Sequence, residues 1–173
     1  EIATHSDLHQ LAYNLTPREF KQDLDMSIEA LQDITGDKVR IYRAPGFSLK
    51  YENKWVFDIL LEKGIEIDCS IFPAKRAHGG FEEFKEATPC IININGAMLK
   101  EFQINVKSLL FKKIVFSGGG YFRLFPLNLL KKWFNESRYI MTYFHPRDFD
   151  VSQPKLKNLS PIRNFKLYYG LNG

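Results

Sequence analysis

Residues 39–68 read VRIYRAPGFSLKYENKWVFDILLEKGIEID, and this stretch determines the fold class that the sequence predicts. A short apolar strand over 39–42 is followed by a helix that Asn53 caps, and then by a second strand over 65–67 that ends in Asp68. Strands that alternate with helices in this way are typical of parallel sheets wrapped by helices. In barrels of that kind, the chemistry collects at the carboxyl ends of the strands.

The residues before this stretch predict a long amphipathic helix. Thr16 is placed to cap it, Pro17 suits its first turn, and Glu19 completes a capping box. Gly36 supplies a stop signal at its other end. The apolar positions recur at helical spacing: Phe20, Leu24, Ile28 and Leu31.

The second half of the chain departs from this rhythm. Residues 74–120 carry short apolar runs around glycines, which predicts a β-rich insertion. Pro126 opens a further helix, and the apolar run 139–144 predicts a buried strand that delivers His145 at its end. The sequence contains no repeat, low-complexity tract or linker, so residues 1–173 are predicted to form a single domain.

The composition suits a packed α/β domain, with 45% hydrophobic residues and a net charge of +4. The basic residues are dispersed, which argues against nucleic acid as a partner. No apolar run reaches the roughly 18 residues that a membrane span needs. Cys69 and Cys90 lack the spacing of zinc ligands and the density of a disulfide scaffold, so they are predicted to be reduced, partly buried thiols.

His5 and His9 are two of the four histidines in the chain. A separation of four residues predicts that both imidazoles lie on one face of a helical turn. Such a pair can bind a borderline divalent ion such as zinc. Surface or packing roles are the alternative explanation of the same spacing.

Four motifs in order resemble those of the polysaccharide deacetylase family, carbohydrate esterase family 4. His5-Ser6-Asp7-Leu8-His9 is similar to the family's metal motif, and Arg43-Ala44-Pro45-Gly46 to its arginine motif. Asp68 matches the aspartate of the fourth motif, and His145 stands where the last histidine motif falls. The resemblance implies a distorted (β/α) barrel with a β-rich insertion, and a zinc-dependent hydrolase of non-peptide carbon–nitrogen bonds.

Two further stretches resemble the subgroup associated with bacterial exopolysaccharide and surface-glycan biosynthesis. One is SGGGYFRLFP at residues 117–126, and the other is YFHP at 143–146 with Asp150 beyond it. The implied substrate is an N-acetylated sugar in such a glycan or its precursor, and the implied location is a bacterial cytoplasm. From the residues alone, glycines 118–120 are equally well explained as a flexible turn.

The resemblance also assigns catalytic roles. It places the Gly46 N–H in the oxyanion pocket, Arg43 beside the catalytic base, and His145 as the general acid steadied by Asp68. Considered singly, His145 is more often a structural hydrogen-bonding residue, and Arg43 with Asp68 could form a plain ion pair.

Four further residues are candidates for contacts with the sugar. Phe47, Phe72 and Tyr121 are predicted to form a stacking rim, although core packing is the commoner position of such rings. His78 in a glycine-bearing loop is a weaker candidate, because most such histidines are simply exposed.

The family's first motif, a strand ending in two aspartates, should precede the histidine motif, and the sequence does not contain it. The chain is therefore expected to be truncated at its N-terminus and inactive by itself. A catalytically silent glycan-binding or assembly subunit of the same fold is the rival prediction. The oligomeric state is left open.

Overall fold

The computed structural model describes residues 1–75, 79–84, 88–109 and 112–171. These form two compact units, Glu1–Ile104 and Asn105–Gly173, with mixed α and β structure. The helices are α1 (Pro17–Thr35), α2 (Val56–Glu62), α3 (Gly119–Leu124), α4 (Leu127–Glu136) and α5 (Pro161–Tyr168). The strands are β1 (Ile41–Tyr42), β2 (Ile67–Asp68), β3 (Cys90–Ile94), β4 (Ala97–Glu101), β5 (Val106–Leu109) and β6 (Lys112–Val115).

The predicted limits of α1 are confirmed. The Thr16 side chain accepts a hydrogen bond from the Glu19 N–H, and the Glu19 carboxylate accepts one from the Thr16 N–H, which is the predicted capping box. The helix ends at Gly36, whose φ of +73° is left-handed. Phe20 and Leu24 of the apolar stripe are buried.

The first unit contains a four-stranded sheet in the order β1-β2-β4-β3. β1, β2 and β4 run parallel, and β3 is antiparallel to β4. The predicted parallel pairing of the two strands within residues 39–68 is therefore confirmed, although each strand contains only two residues. The predicted closed barrel stays a prediction, because the described strands form this sheet and a second sheet of two strands.

The predicted β-rich segment is confirmed by two hairpins. β3 and β4 are joined by Asn95 and Gly96, which have positive φ values of 53° and 89°. Two central residues of that kind form the tight turn whose twist matches a hairpin. In the second unit β5 pairs with β6.

The second unit has its own small core, in which Phe116 packs against Leu130 and Trp133 of α4. The predicted helix after Pro126 is confirmed. Helix α5 was not predicted, because its surroundings are polar. Its start signal in the sequence is Ser160, whose side chain caps the helix, followed by Pro161 in the first turn. Among the described residues, no helix is both long and apolar enough to cross a membrane.

The prediction of a buried strand over residues 139–144 is wrong. The segment makes one isolated bridge, from Tyr143 to Gly118, and no residue in it is buried. The Asn105 side chain donates to the Tyr139 carbonyl at 2.7 Å and also accepts from the Met141 N–H. A side chain thus satisfies backbone groups that a neighbouring strand would otherwise bind.

Gly118 is required by a close approach and is not simply part of a flexible turn. A Cβ atom there would lie 2.1 Å from the Tyr143 carbonyl oxygen and 2.5 Å from the Tyr143 ring. The bridge between these two residues leaves no space for a side chain.

Gly118→Ala is expected to destabilise the second unit by about 3 kcal/mol, because overpacking against backbone cannot be relieved by a rotamer change. Chemical denaturation measures the loss. Gly120→Ala is the matched control, since its Cβ would lie 3.1 Å from the Lys166 carbonyl oxygen and requires only a small adjustment. Equal stability of the two variants would contradict the close approach.

Candidate active site

The segment that carries His5 and His9 is not helical, so the predicted helical turn is wrong. Thr4 N–H donates to the Ile41 carbonyl at 2.9 Å, and Arg43 N–H donates to the Thr4 carbonyl at 3.1 Å. This pairing extends the sheet beside β1 and holds the start of the segment in an extended conformation. His9 has a φ of +54°, so the chain turns back through a left-handed residue.

Two buried polar residues of α1 hold this segment in place. The Asp23 carboxylate accepts hydrogen bonds from the N–H groups of Leu8, at 2.8 Å, and Asp7, at 3.3 Å. The hydroxyls of Ser27 and Thr4 are 2.6 Å apart. The sequence analysis did not predict the roles of Asp23 and Ser27. The signal that could have revealed them is that two polar residues stand at i, i+4 on the buried side of α1.

The two imidazoles remain close despite the different backbone. The ring centroids of His5 and His9 are 5.1 Å apart and the rings meet edge to face. His5 Nδ1 lies 2.6 Å from the Arg43 carbonyl oxygen. Because a carbonyl oxygen only accepts, His5 Nδ1 is the donor of this hydrogen bond, which orients the imidazole ring.

This chemistry fits a divalent ion in part. Orientation of a histidine by a carbonyl at its second nitrogen is usual for zinc ligands. Zinc normally takes three or four protein ligands. Across residues 1–75, 79–84, 88–109 and 112–171, no group of three histidine, cysteine or acidic side chains is suitably placed to hold a metal ion, so the pair would supply two of those ligands.

Arg43 and Gly46 belong to a tight turn after β1. Gly46 has a φ of +61° and the next residue, Phe47, has a φ of +51°. A bulky residue in the left-handed region costs about 1–2 kcal/mol, which the surrounding packing must offset. The Arg43 guanidinium lies 5.6 Å from the centroid of the Phe47 ring. The oxyanion role of Gly46 and the orienting role of Arg43 stay predictions.

The predicted aromatic rim contains both buried and exposed rings. Phe47 and Phe72 are both buried, and their ring centroids are 6.1 Å apart in an edge-to-face contact. Tyr121 belongs to the second unit and is 47% exposed. His78 lies outside the described residues. Sugar contacts by any of these residues stay a prediction.

Asp68 ends β2 and is fully buried. The Ser70 hydroxyl donates to Asp68 Oδ1, and it accepts a hydrogen bond of 2.7 Å from the Ala44 N–H. Asp68 is therefore linked through Ser70 to the turn that carries Arg43 and Gly46. Burial raises the pKa of Asp68, and hydrogen bonds from Glu101, Ser70 and the backbone oppose that rise.

Glu101 stands beside Asp68 in the register of β2 and β4, and it is also fully buried. Sequence reasoning missed it. The information that could have revealed Glu101 is its position in β4, because Leu99 and Glu101 lie two residues apart and are the two buried residues of that strand.

Both cysteines are free, as predicted; Cys69 is buried and Cys90 is half-buried. Burial, and secondarily the charge of Asp68, raise the pKa of the Cys69 thiol to about 11, although Arg43 opposes the rise. A thiol of this kind is a poor nucleophile, because the thiolate is the reactive form.

His145 is held by Asp148 within the second unit. Asp148 Oδ2 accepts a hydrogen bond of 2.9 Å from the His145 N–H and lies 3.4 Å from His145 Nδ1. Asp148 is buried, whereas the His145 side chain is 51% exposed. The carboxylate can therefore orient Nδ1 and leave Nε2 to exchange a proton. Sequence reasoning missed Asp148, although Pro146 followed by an acidic residue is a start signal for a helical turn.

Arg123 connects this arrangement to the C-terminal helix. Its Nη2 lies 3.4 Å from Asp148 Oδ1, with both side chains nearly buried. Its Nη1 donates to the carbonyls of Leu167, at 3.1 Å, and Tyr169, at 2.9 Å. The arginine of the SGGGYFRLFP motif thus supports the carboxylate that contacts His145.

Two known families match the sequence. Residues 1–66 match the family described as polysaccharide deacetylase. This part of the chain belongs to the polysaccharide deacetylase family. Residues 69–173 match, and belong to, a second family described as a domain of unknown function, DUF3473. The first match contains the histidine pair and Arg43; the second contains Glu101 and His145. The candidate residues therefore lie in both matched regions, and Asp68 lies between the two.

One similar solved structure is the crystal structure of a "putative polysaccharide deacetylase" from Mycobacterium smegmatis, with 22% identity and a TM-score of 0.49. The match covers 61% of this chain and 32% of that one, so this chain spans about a third of its length. No curated protein matches the sequence.

Proposed function

We propose that the chain is part of a metal-dependent hydrolase that removes the acetyl group from N-acetylated sugars in a bacterial surface polysaccharide or its precursor. Family membership supports deacetylation as the activity. The observation that carries the metal dependence is the proximity of the His5 and His9 imidazoles, with the His5 ring oriented by the hydrogen bond from Nδ1 to the Arg43 carbonyl. Zinc is the ion that best suits two imidazoles among the common hydrolytic metals.

The reaction joins the oxygen of water to the acetyl carbon, breaks the carbon–nitrogen bond and releases acetate. A bound divalent ion would polarise the carbonyl and increase the acidity of water. The Gly46 N–H would donate to the oxygen as negative charge develops. His145, oriented by Asp148, would give its proton to the departing amine.

A catalytically silent glycan-binding or assembly subunit is the second candidate. The observation that favours it is that the described residues offer no third metal ligand beside the two histidines. A glycan-binding subunit needs no activated water, so an incomplete ligand set would be no disadvantage.

An acetate-release assay separates the two candidates. The product of the complete reading frame, supplied with zinc, cobalt or manganese, is expected to release acetate from N-acetylglucosamine oligomers. Chelation should stop the release and added metal should restore it. Residues 1–173 alone are expected to release none, because catalytic zinc usually has three protein ligands.

Two results would favour the silent subunit. One is the absence of acetate release from a broad panel of N-acetylated glycans with all three metals. The other is calorimetric binding of the same oligomers without turnover. Release that is insensitive to chelation would instead contradict the metal dependence.

A further inference from the structure

Glu101 and Asp68 form a buried carboxyl pair at the centre of the first sheet. Tyr42, Asp68 and Glu101 stand next to one another across β1, β2 and β4. Both carboxyl side chains are fully buried, and because they stand side by side on neighbouring strands, each perturbs the pKa of the other. Two adjacent buried carboxyl groups cannot both be ionised, so the pair holds a proton between them.

The surrounding donors determine which group is ionised. Because the Ala44 N–H donates to Ser70 Oγ, the Ser70 hydroxyl hydrogen is directed to Asp68 Oδ1. The N–H groups of Cys69 and Ser70 also favour the ionised form of Asp68. Glu101 receives a single backbone donor, the Ile71 N–H at 3.2 Å from Oε1. Asp68 is therefore the better stabilised anion.

The proton then lies between the two remaining oxygens. Asp68 Oδ2 and Glu101 Oε2 have no hydrogen-bond partner elsewhere among the described residues. A proton on Glu101 Oε2 that is donated to Asp68 Oδ2 satisfies both atoms. Burial, together with the charge of Asp68, raises the pKa of Glu101 well above its usual value, in agreement with this assignment.

We propose that Glu101 is a positioning residue: in its protonated form it donates a hydrogen bond to Asp68, and the Asp68–Ser70–Ala44 chain thereby fixes the turn of residues 43–46. That turn contains the Arg43 carbonyl, which orients His5. It also contains the Gly46 N–H, which is assigned to the oxyanion. The catalytic consequence rests on the proposed function, whereas the proton assignment and the fixed turn do not.

Other titratable groups face the pair, and they do not supply the proton. Tyr42 borders Asp68, and burial, followed by the charge of Asp68, raises the pKa of its phenol well above the usual value. The Cys69 thiol is also held protonated by burial. Two further charges act on this row: that of Arg43 lowers the pKa of Cys69, and that of Asp23 raises the pKa of Tyr42.

Infrared spectroscopy of the full chain at neutral pH tests the proton assignment. The carbonyl stretch of a protonated carboxylic acid is expected in the wild type and in the matched control Glu29→Gln, which alters an exposed acid on α1. Glu101→Gln should remove the band. A wild-type spectrum without the band, or a band that survives in Glu101→Gln, would overturn the assignment.

The pH dependence of stability gives a second readout. A carboxyl pKa that is raised in the folded state stabilises the protein below the unfolded pKa, and this contribution is lost as pH rises through the folded value. The wild-type stability should therefore fall as pH rises past about 4.3, the ordinary glutamate value, toward neutral. Glu101→Gln should lose less stability over that range. Parallel curves of stability against pH for the wild type and Glu101→Gln would contradict the proposal.

Amide hydrogen exchange at Ala44 tests the positioning role without any need for activity. A glutamine at 101 keeps both interactions, because its carbonyl accepts from Ile71 N–H and its NH2 donates to Asp68, so Ala44 should stay protected. Glu101→Leu and Ser70→Ala each break the chain of hydrogen bonds and should increase exchange at Ala44. Wild-type protection in Ser70→Ala would refute the role even if the leucine variant does not fold.

Kinetics of the complete reading frame product link the positioning to the proposed reaction. Ser70→Ala and Glu101→Leu are expected to lower kcat about 10–100-fold with little change in KM, because a misplaced catalytic group costs rate more than binding. Glu101→Gln should retain nearly wild-type kcat. Unchanged kcat in Ser70→Ala would contradict the catalytic consequence. If the wild type releases no acetate, the proposed function fails, and infrared spectroscopy and exchange still decide this proposal.

Discussion

Replacing His5 by alanine is expected to abolish tight zinc binding and acetate release by the product of the complete reading frame. His5 is a proposed metal ligand, and its ring is oriented by the Arg43 carbonyl. Substitutions of outer-shell partners cost about 10–100-fold in metal affinity or activity, and loss of a direct ligand should exceed that range. Competition with a zinc-sensitive dye measures the affinity, and acetate release measures the activity.

His9→Ala should behave in the same way, because the two rings are adjacent. Asp7→Asn is the matched control: the exposed Asp7 side chain lies between the histidines in sequence, while Asp23 binds only its backbone N–H. The control should keep both zinc and activity. A loss in Asp7→Asn as large as that in His5→Ala would contradict the assignment of the two histidines as the ligands.

The histidine pair shows how a sequence pattern can predict proximity from the wrong conformation. Helical spacing correctly brings His5 and His9 together, but the segment is extended at Thr4 and turns through positive φ at His9. The backbone of Thr4 pairs with β1, which local spacing could not reveal. Buried Asp23 then supplies the acceptors that a helical turn would have provided from its own carbonyls.

Elements with local signals were predicted well. The capping box at Thr16 and Glu19 encodes the start of α1 within a few residues, and the structure contains it. The apolar run 139–144 has no comparable signal, since periodicity alone does not say whether a strand partner exists. Its neighbour in the structure is the side chain of Asn105, more than 30 residues earlier in the sequence.

The residues of the candidate site also differ in whether a local sequence signal could predict their contacts. Asp68 could be placed at a strand end from its neighbours, but its partner Glu101 is defined by the register of β2 and β4. No local pattern predicts which inward position of one strand meets the end of another. Asp148 contacts a residue only three positions away, so the sequence did contain the information that pairs it with His145.

His145→Ala is expected to lower kcat for deacetylation about 10²–10⁴-fold, the range that general acid–base groups contribute. KM should stay near its wild-type value, because proton donation to the amine occurs in the transition state and not on binding. Steady-state acetate release with N-acetylglucosamine oligomers gives both constants. A rise in KM with unchanged kcat would show that His145 binds substrate and does not donate the proton.

Two further variants separate the proton donor from the residue that orients it. Asp148→Asn should lower kcat less than His145→Ala, because the imidazole remains but loses the carboxylate 3.4 Å from Nδ1. Arg147→Ala is the matched control, since Arg147 is exposed in the same turn and only its carbonyl is bonded, to Gln153. If Arg147→Ala lowers kcat as much as Asp148→Asn does, the fold of the turn determines the rate and the Asp148 carboxylate does not. The contact between His145 and Asp148 would then have no catalytic role.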